Sequence, residues 1–262
     1  MPAAVPAGAP PLPGRARPPA GTGVTYAAIR SPTPFQDQPP GDIPMRRTAL
    51  STPPLPRRRA LLRGLACLPG REAEFRDGIV QAVAYARALA CPRIHVMAGI
   101  VPEGADPAAL RATYAANLRD AVALAAPHGI ALMLEPINGR DMPGYFLRRQ
   151  EEAHAWIDGI GSPHVLVQMD LYHCQVGEGD VATKLRRYLP TGRVGHLQIA
   201  GAPERHEPDV GELHYPYLLR LVDALGYAGW IGCEYRPARG AEAGGTSAGL
   251  GWMAPWRAEA PD

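Results

Sequence analysis

The chain has 262 residues, 46% of them hydrophobic, with a formal charge of +2, which is enough material for a sizeable core and a usual size for one α/β barrel or for two smaller domains, one domain being the simpler reading. The near-neutral total hides a split, because residues 1–63 hold nine Arg, no Lys or Glu and only Asp37 and Asp42, while the remainder is acidic. Those arginines lie among prolines without interleaved aromatics, and no apolar run approaches a membrane span, so neither a nucleic-acid nor a membrane partner is expected.

In chain order, residues 1–63 come first, with 15 of the 30 prolines and no period of 2 or 3.6. They read as polyproline II or coil, disordered or poorly packed, because too little apolar surface is present to offset the entropy of folding. Arg46–Arg47 is not followed by a signal core. The boundary falls near Gly64, and residues 64–262 form one domain of ordinary globular pattern. The four cysteines, Cys67, Cys91, Cys174 and Cys233, have no CxxC spacing. That argues against a zinc ribbon and against a disulfide framework and fits a reduced, cytoplasmic setting.

Apolar residues at Phe75, Ile79, Ala82, Val83, Ala86 and Ala90 predict a helix over 72–90, and a strand follows over 93–100. Residues 106–128 form the next helix, with Asp106 as N-cap, Pro107 in the first turn and Gly129 as the stop. Ile130–Leu134 is a run of five apolar residues leading into Glu135, the mark of a strand buried on both faces. Helices are expected over 147–160, 178–189 and 215–225, alternating with strands over 164–170, 193–199 and 229–235. Five strands alternating with helices imply right-handed βαβ units and a parallel sheet, as a TIM barrel or as a doubly wound sheet. No GxGxxG or Walker sequence follows a strand, which weakens the nucleotide-binding form.

Four of these strands end in an oxygen-bearing side chain: Glu135, Asp170, Gln198 and Glu234. Singly, such a residue is as readily a loop-tying or capping group. Together they offer one polar region at the C-terminal face of the sheet, where barrel and open-sheet sites lie. Trp230, Trp252 and Trp256 either wall a pocket there or serve packing, and the glycine-rich tail GGTSAGLGWMAPW either closes over the site or meets a partner.

The runs GLACLPGREAEFRDGI (64–79), LEPIN (134–138), MDLYH (169–173), GHLQIA (195–200) and GYAGWIGCEY (226–235), with His206-Glu207-Pro208 and Gly211-Glu212, resemble the hydroxypyruvate isomerase family. That family belongs to the xylose-isomerase-like TIM barrels, beside 2-oxo-tetronate isomerases, ketose 3-epimerases and endonuclease IV. The resemblance covers about residues 64–257. It implies a (β/α)8 barrel whose N-terminal strands are here missing or scrambled, since 1–63 lacks the composition to form them. With a single lysine, Lys184, in an Ala-, Arg-, Gly- and Pro-rich chain, a shifted reading frame upstream of Gly64 is one explanation. A natural extension is the other.

The resemblance further implies a divalent metal held by Glu135, Asp170, Gln198 and Glu234. This oxygen-only set suits Mg²⁺ or Mn²⁺ better than Zn²⁺. Related epimerases carry His where Gln198 stands, and the nucleases use several His on zinc, so the amide points to the isomerase branch. The implied reaction converts hydroxypyruvate to tartronate semialdehyde through an enediolate, with Glu135 and Glu234 as the proton-carrying pair. His173 and Arg205 resemble the groups that hold the oxygens and carboxylate of a small hydroxy-keto acid. His196, Asp141 and Glu207 are candidates for an outer ring. A 2-oxo-tetronate isomerase and a catalytically inactive partial barrel are the alternatives, and a homo-oligomer is left open.

Overall fold

The structure, a computed structural model, describes residues 64–240 and 242–257. The expectations for residues 1–63 fall outside the described residues. Helix α1 (Glu72–Ala88) leads to strand β1 (Arg93–His95), helix α2 (Pro107–Ala125) and strand β2 (Ala131–Leu134). Helix α3 (Gln150–Ile160), strand β3 (Val165–Asp170), helices α4 (Leu171–Gly177) and α5 (Val181–Tyr188) and strand β4 (Val194–Ile199) follow. Helix α6 (Tyr215–Ala224), strand β5 (Ile231–Cys233) and two short helices, α7 (Gly245–Ala248) and α8 (Ala254–Arg257), complete the described part.

All five strands are parallel and stand in chain order, each paired with its successor. Strand order decides between the two architectures. A doubly wound sheet reverses direction at a switch point, whereas here every connection steps to the next strand on the same side, and connections of one hand then place the helices on one face, as in a barrel wall. That face is apolar: Ile94, Leu132, Leu134, Val165, Val167, Leu197 and Ile231 belong to one buried core with Phe75, Leu118, Ile157 and Leu185 from the helices. The alternate residues, including His95, Met133, Gln168, Asp170, His196 and Gln198, share the opposite face, by strand parity and by register. Tyr114, Phe146 and Trp156 pack tilted or edge-on to one another where α2, α3 and the segment between β2 and α3 meet, with ring centroids 4.8–6.2 Å apart.

Several boundaries differ from the sequence reading for identifiable reasons. Strand β1 stops at His95 rather than at residue 100, because the chain beyond it leaves the parallel ladder for antiparallel bridges, one of them between Ile100 and Tyr145. Ala98 bridges antiparallel to Gly64, and its N–H donates to the Tyr145 hydroxyl at 2.7 Å. Helix α1 stops at Ala88, short of Ala90, whose φ is 51. Helix α3 starts at Gln150, because Glu152 Oε2 accepts from the N–H groups of Arg148 (3.1 Å) and Arg149 (3.2 Å) and caps it there. The helix expected over 178–189 starts only at Val181, after Gly179 (φ 70) and Asp180 (φ 51), and it is preceded by a helix that the sequence reading did not contain, α4, which starts directly at the end of β3. Strand β5 spans three residues instead of 229–235, leaving Trp230 46% exposed. No helix among the described residues is long and apolar enough to cross a membrane.

Candidate functional site

The C-terminal strand ends do converge. Ligand atoms of Glu135, Asp170, His173 and Glu234 lie within 4.8 Å of one another. Gln198 sits opposite Asp170 in the β3–β4 register. The two buried acids share one design, in which one oxygen is tied down and the other presented. Asp170 Oδ1 accepts from the N–H groups of Tyr172 (2.8 Å) and His173 (3.3 Å), so the acid caps α4, while Oδ2 is buried without a hydrogen bond. Glu135 Oε2 accepts from Gln168 Nε2 at 3.1 Å, with His95 Nε2 at 3.3 Å, while Oε1 is buried and likewise unbonded. Gln198 Oε1 is a third buried oxygen without a donor.

Arg205 closes the outer side. Its Nη2 donates to Glu234 Oε2 at 2.8 Å and lies 3.6 Å from Asp170 Oδ2, and its Nη1 donates to Asp141 Oδ2 at 3.3 Å. The guanidinium also lies 5.0 Å from the centroid of the Tyr172 ring. Arg205 holds φ 61, a conformation that costs energy in a residue with a side chain. Two backbone bonds sustain it, from Arg205 N to Gly201 O (2.8 Å) and from Arg236 N to Arg205 O (2.7 Å).

Every residue singled out from the sequence as ligand, proton carrier or substrate contact thus lies in or against this cluster. Asp141 belongs to the outer ring, accepting from Arg205 and from the Tyr172 hydroxyl at 3.1 Å. Glu207 does not: both its oxygens accept from Ala238 N (3.2 and 3.1 Å), so it fastens the chain after β5 to the loop after β4. His196 lies two residues before Gln198 on the same face, near Gly232 rather than in the cluster. Trp252 and Trp256 line a groove of about 270 Å³ with Pro208, Leu213 and Tyr215, and none of the four clustered residues borders it. Sequence reasoning missed His95, Gln168, Asn138 and Tyr172. Gln168 was findable, since it precedes Asp170 by two and shares its face, whereas His95 required the strand register.

Burial sets the electrostatics. Loss of solvent, then repulsion from Asp170 and Glu234, pushes the Glu135 carboxyl well above its usual range. Asp170 is pushed up to about 7, chiefly by burial and further by Glu234, against the opposing pull of Arg205. Burial, then Arg205, lowers His173 to about 3. Buried acids that repel one another, together with three donorless buried oxygens, are costly unless a cation completes them. The cluster therefore fits a hard divalent ion.

This has a testable consequence for the metal-free protein. Carboxyls with raised folded-state values bind protons more tightly folded than unfolded, so their ionisation destabilises the fold. For Asp170 the penalty is absent below the ordinary Asp value of 3.8 and is fully developed once pH passes about 7, and Glu135 adds to it in the same direction. The metal-free melting temperature is expected to fall between roughly pH 5 and pH 7.5, and a saturating divalent cation to remove most of that fall. A metal-free melting temperature that rises across this window would contradict the raised affinities.

Known proteins share this architecture. The family model described as xylose isomerase-like TIM barrel matches residues 45–256, beginning upstream of the boundary read near Gly64. A protein of Cupriavidus necator named 2-oxo-tetronate isomerase is 57% identical over 194 residues, 74% of this chain and 72% of that protein. The protein of Escherichia coli named hydroxypyruvate isomerase is 42% identical over 195 residues, 74% of this chain and 73% of its own length. A crystal structure described as AP endonuclease, family 2, from Brucella melitensis superposes with a TM-score of 0.69 at 46% identity, covering 74% of this chain and 72% of that one. Strand order, a converging acid cluster and this extent of identity agree: the chain belongs to the xylose isomerase-like TIM barrel family, in its hydroxypyruvate isomerase group.

Proposed function

We propose that this chain is a divalent-metal-dependent isomerase that interconverts hydroxypyruvate and tartronate semialdehyde through an enediolate. The observation that carries the reading is the cluster in which Glu135, Asp170 and Gln198 each present a buried oxygen without a hydrogen bond. Glu135, Asp170, Gln198 and Glu234 would hold Mg²⁺ or Mn²⁺. When bound, the ion supplies positive charge next to the substrate's carbonyl and hydroxyl oxygens as negative charge develops on them.

The chain's own residues carry the protons. Glu234 is half-exposed and ion-paired with Arg205, and it takes the proton from the hydroxyl-bearing carbon. Glu135, almost fully buried in the same cluster, is placed to deliver a proton to the neighbouring carbon, while the hydroxyl proton passes to the former carbonyl oxygen. The reverse reaction exchanges their roles. Arg205, on the outer side, provides N–H donors for the substrate's carboxylate, and His173 faces the reacting oxygens. The protein acts in the cytoplasm on a small hydroxy-keto acid, without a membrane or nucleic-acid partner.

A second reading lengthens the substrate by one carbon, to a 2-oxo-tetronate, and the 57% identity with the Cupriavidus necator relative favours it. Turnover assays on the purified, Mg²⁺- or Mn²⁺-loaded full chain with each acid test both. Hydroxypyruvate turnover supports the first reading, and turnover of the four-carbon acid alone supports the second. A folded, metal-loaded protein that converts neither is the inactive partial barrel.

A further inference from the structure

The orientation of His173 is decided by a residue outside the ligand set. Asn138 lies between Glu135 and Asp141, and its Oδ1 accepts two backbone hydrogen bonds, from Arg140 N (3.0 Å) and Asp141 N (2.8 Å). A backbone N–H only donates, so the side-chain atom facing those groups is the oxygen and the amide nitrogen must point the other way. That nitrogen lies 2.6 Å from His173 Nδ1, with both side chains buried. An amide nitrogen also only donates, so Nδ1 carries the lone pair. A neutral imidazole has one N–H, which must then sit on Nε2. Nε2 faces the cluster, 4.0 Å from Glu135 Oε1 and 3.9 Å from Asp170 Oδ2.

We infer that Asn138 is a positioning residue that holds His173 as an Nε2–H donor aimed into the carboxylate cluster, which removes His173 from the metal-ligand set. His173 lies within ligand distance of the acids, but a nitrogen that bears a proton has no lone pair for a cation. An imidazolium is disfavoured as well, since it would set an N–H against the Asn138 amino group at 2.6 Å. The cluster is left with oxygen ligands only, and one neutral donor faces the place where charge grows on a substrate oxygen. This functional part rests on the isomerase reading above.

The test begins with the full chain carrying ¹⁵N-labelled histidine. Nitrogen–proton correlation spectra at neutral pH, without metal and with Mg²⁺, report which ring nitrogen of His173 is protonated, and His173→Gln identifies its signals. Protonated Nε2 and bare Nδ1 are expected in both states. A proton on Nδ1 in the wild-type chain overturns the inference, and because this measurement needs no Asn138 variant it stands even if one fails to fold. In Asn138→Asp, one carboxylate oxygen can still accept from the two backbone groups while the other accepts from His173, so the proton is expected to move to Nδ1. Turnover should then fall about tenfold or more, as for a lost oxyanion donor, and the preference for Zn²⁺ over Mg²⁺ should rise. Asn138→Asp with a relocated proton but unchanged turnover and metal preference also overturns the positioning role. If the wild-type chain shows the Nε2 proton yet converts neither keto acid, the isomerase reading fails while the tautomer assignment stands.

Discussion

Glu135→Gln and Glu234→Gln are each expected to lower isomerase turnover by about 10²-fold or more while leaving the fold intact, because an amide of nearly the same shape cannot take up a proton. The two variants should differ in stability. Glu135 is 3% exposed, and burial and its acidic neighbours oppose its charge. Its neutral replacement should hold or raise the metal-free melting temperature. Glu234 is half-exposed, its partner Arg205 keeps Asp141 and Asp170, and a neutral side chain there also relieves repulsion on the buried acids, so Glu234→Gln should leave stability nearly unchanged. Steady-state kinetics, with metal content verified by calorimetry, check both variants. Near-full turnover by either one with metal bound would refute the two-carboxylate mechanism.

Removing the divalent ion is expected to abolish turnover and to lower the melting temperature by several degrees. A ligand that binds only the folded state at about 100 times its Kd stabilises it by about 2.7 kcal/mol, and each kcal/mol shifts the melting temperature of a domain this large by roughly 2–4 °C. The fit of the site sets the expectation: the ion would meet oxygens that burial has already stripped of water and that no N–H group satisfies. Differential scanning calorimetry with and without chelator, and titration with Mg²⁺ and Mn²⁺, measure both effects. A folded sample that takes up neither ion would sink the ligand assignment of Glu135, Asp170, Gln198 and Glu234.

Much of this site was legible in sequence because the chemistry sits at element boundaries. An apolar run such as Ile130–Leu134 has one period and one burial demand, and a carboxylate directly after it can only emerge where the strand leaves the sheet. The same logic picked out Asp170, Gln198 and Glu234. Element ends were less legible, since side chains decide them: Glu152 sets the start of α3, and Asp170 starts a helix at the end of β3 that its seven residues do not announce by period.

What the sequence by itself determined is the alternation of strands and helices and the four oxygen-bearing strand ends, both of which depend only on neighbours along the chain. Tertiary structure alone decided the rest, because it depends on contacts between residues far apart. Strand order separated a barrel wall from an open sheet. Packing of the loop after β4 against the chain after β5 turned Glu207 from a site candidate into a fastener of Ala238 and set Arg205 across Glu234, Asp141 and Asp170. The meeting of Asn138 with His173, 35 residues apart, decides which imidazole nitrogen carries the proton. That choice follows from the direction of two hydrogen bonds, and a one-dimensional pattern of residue types carries no direction.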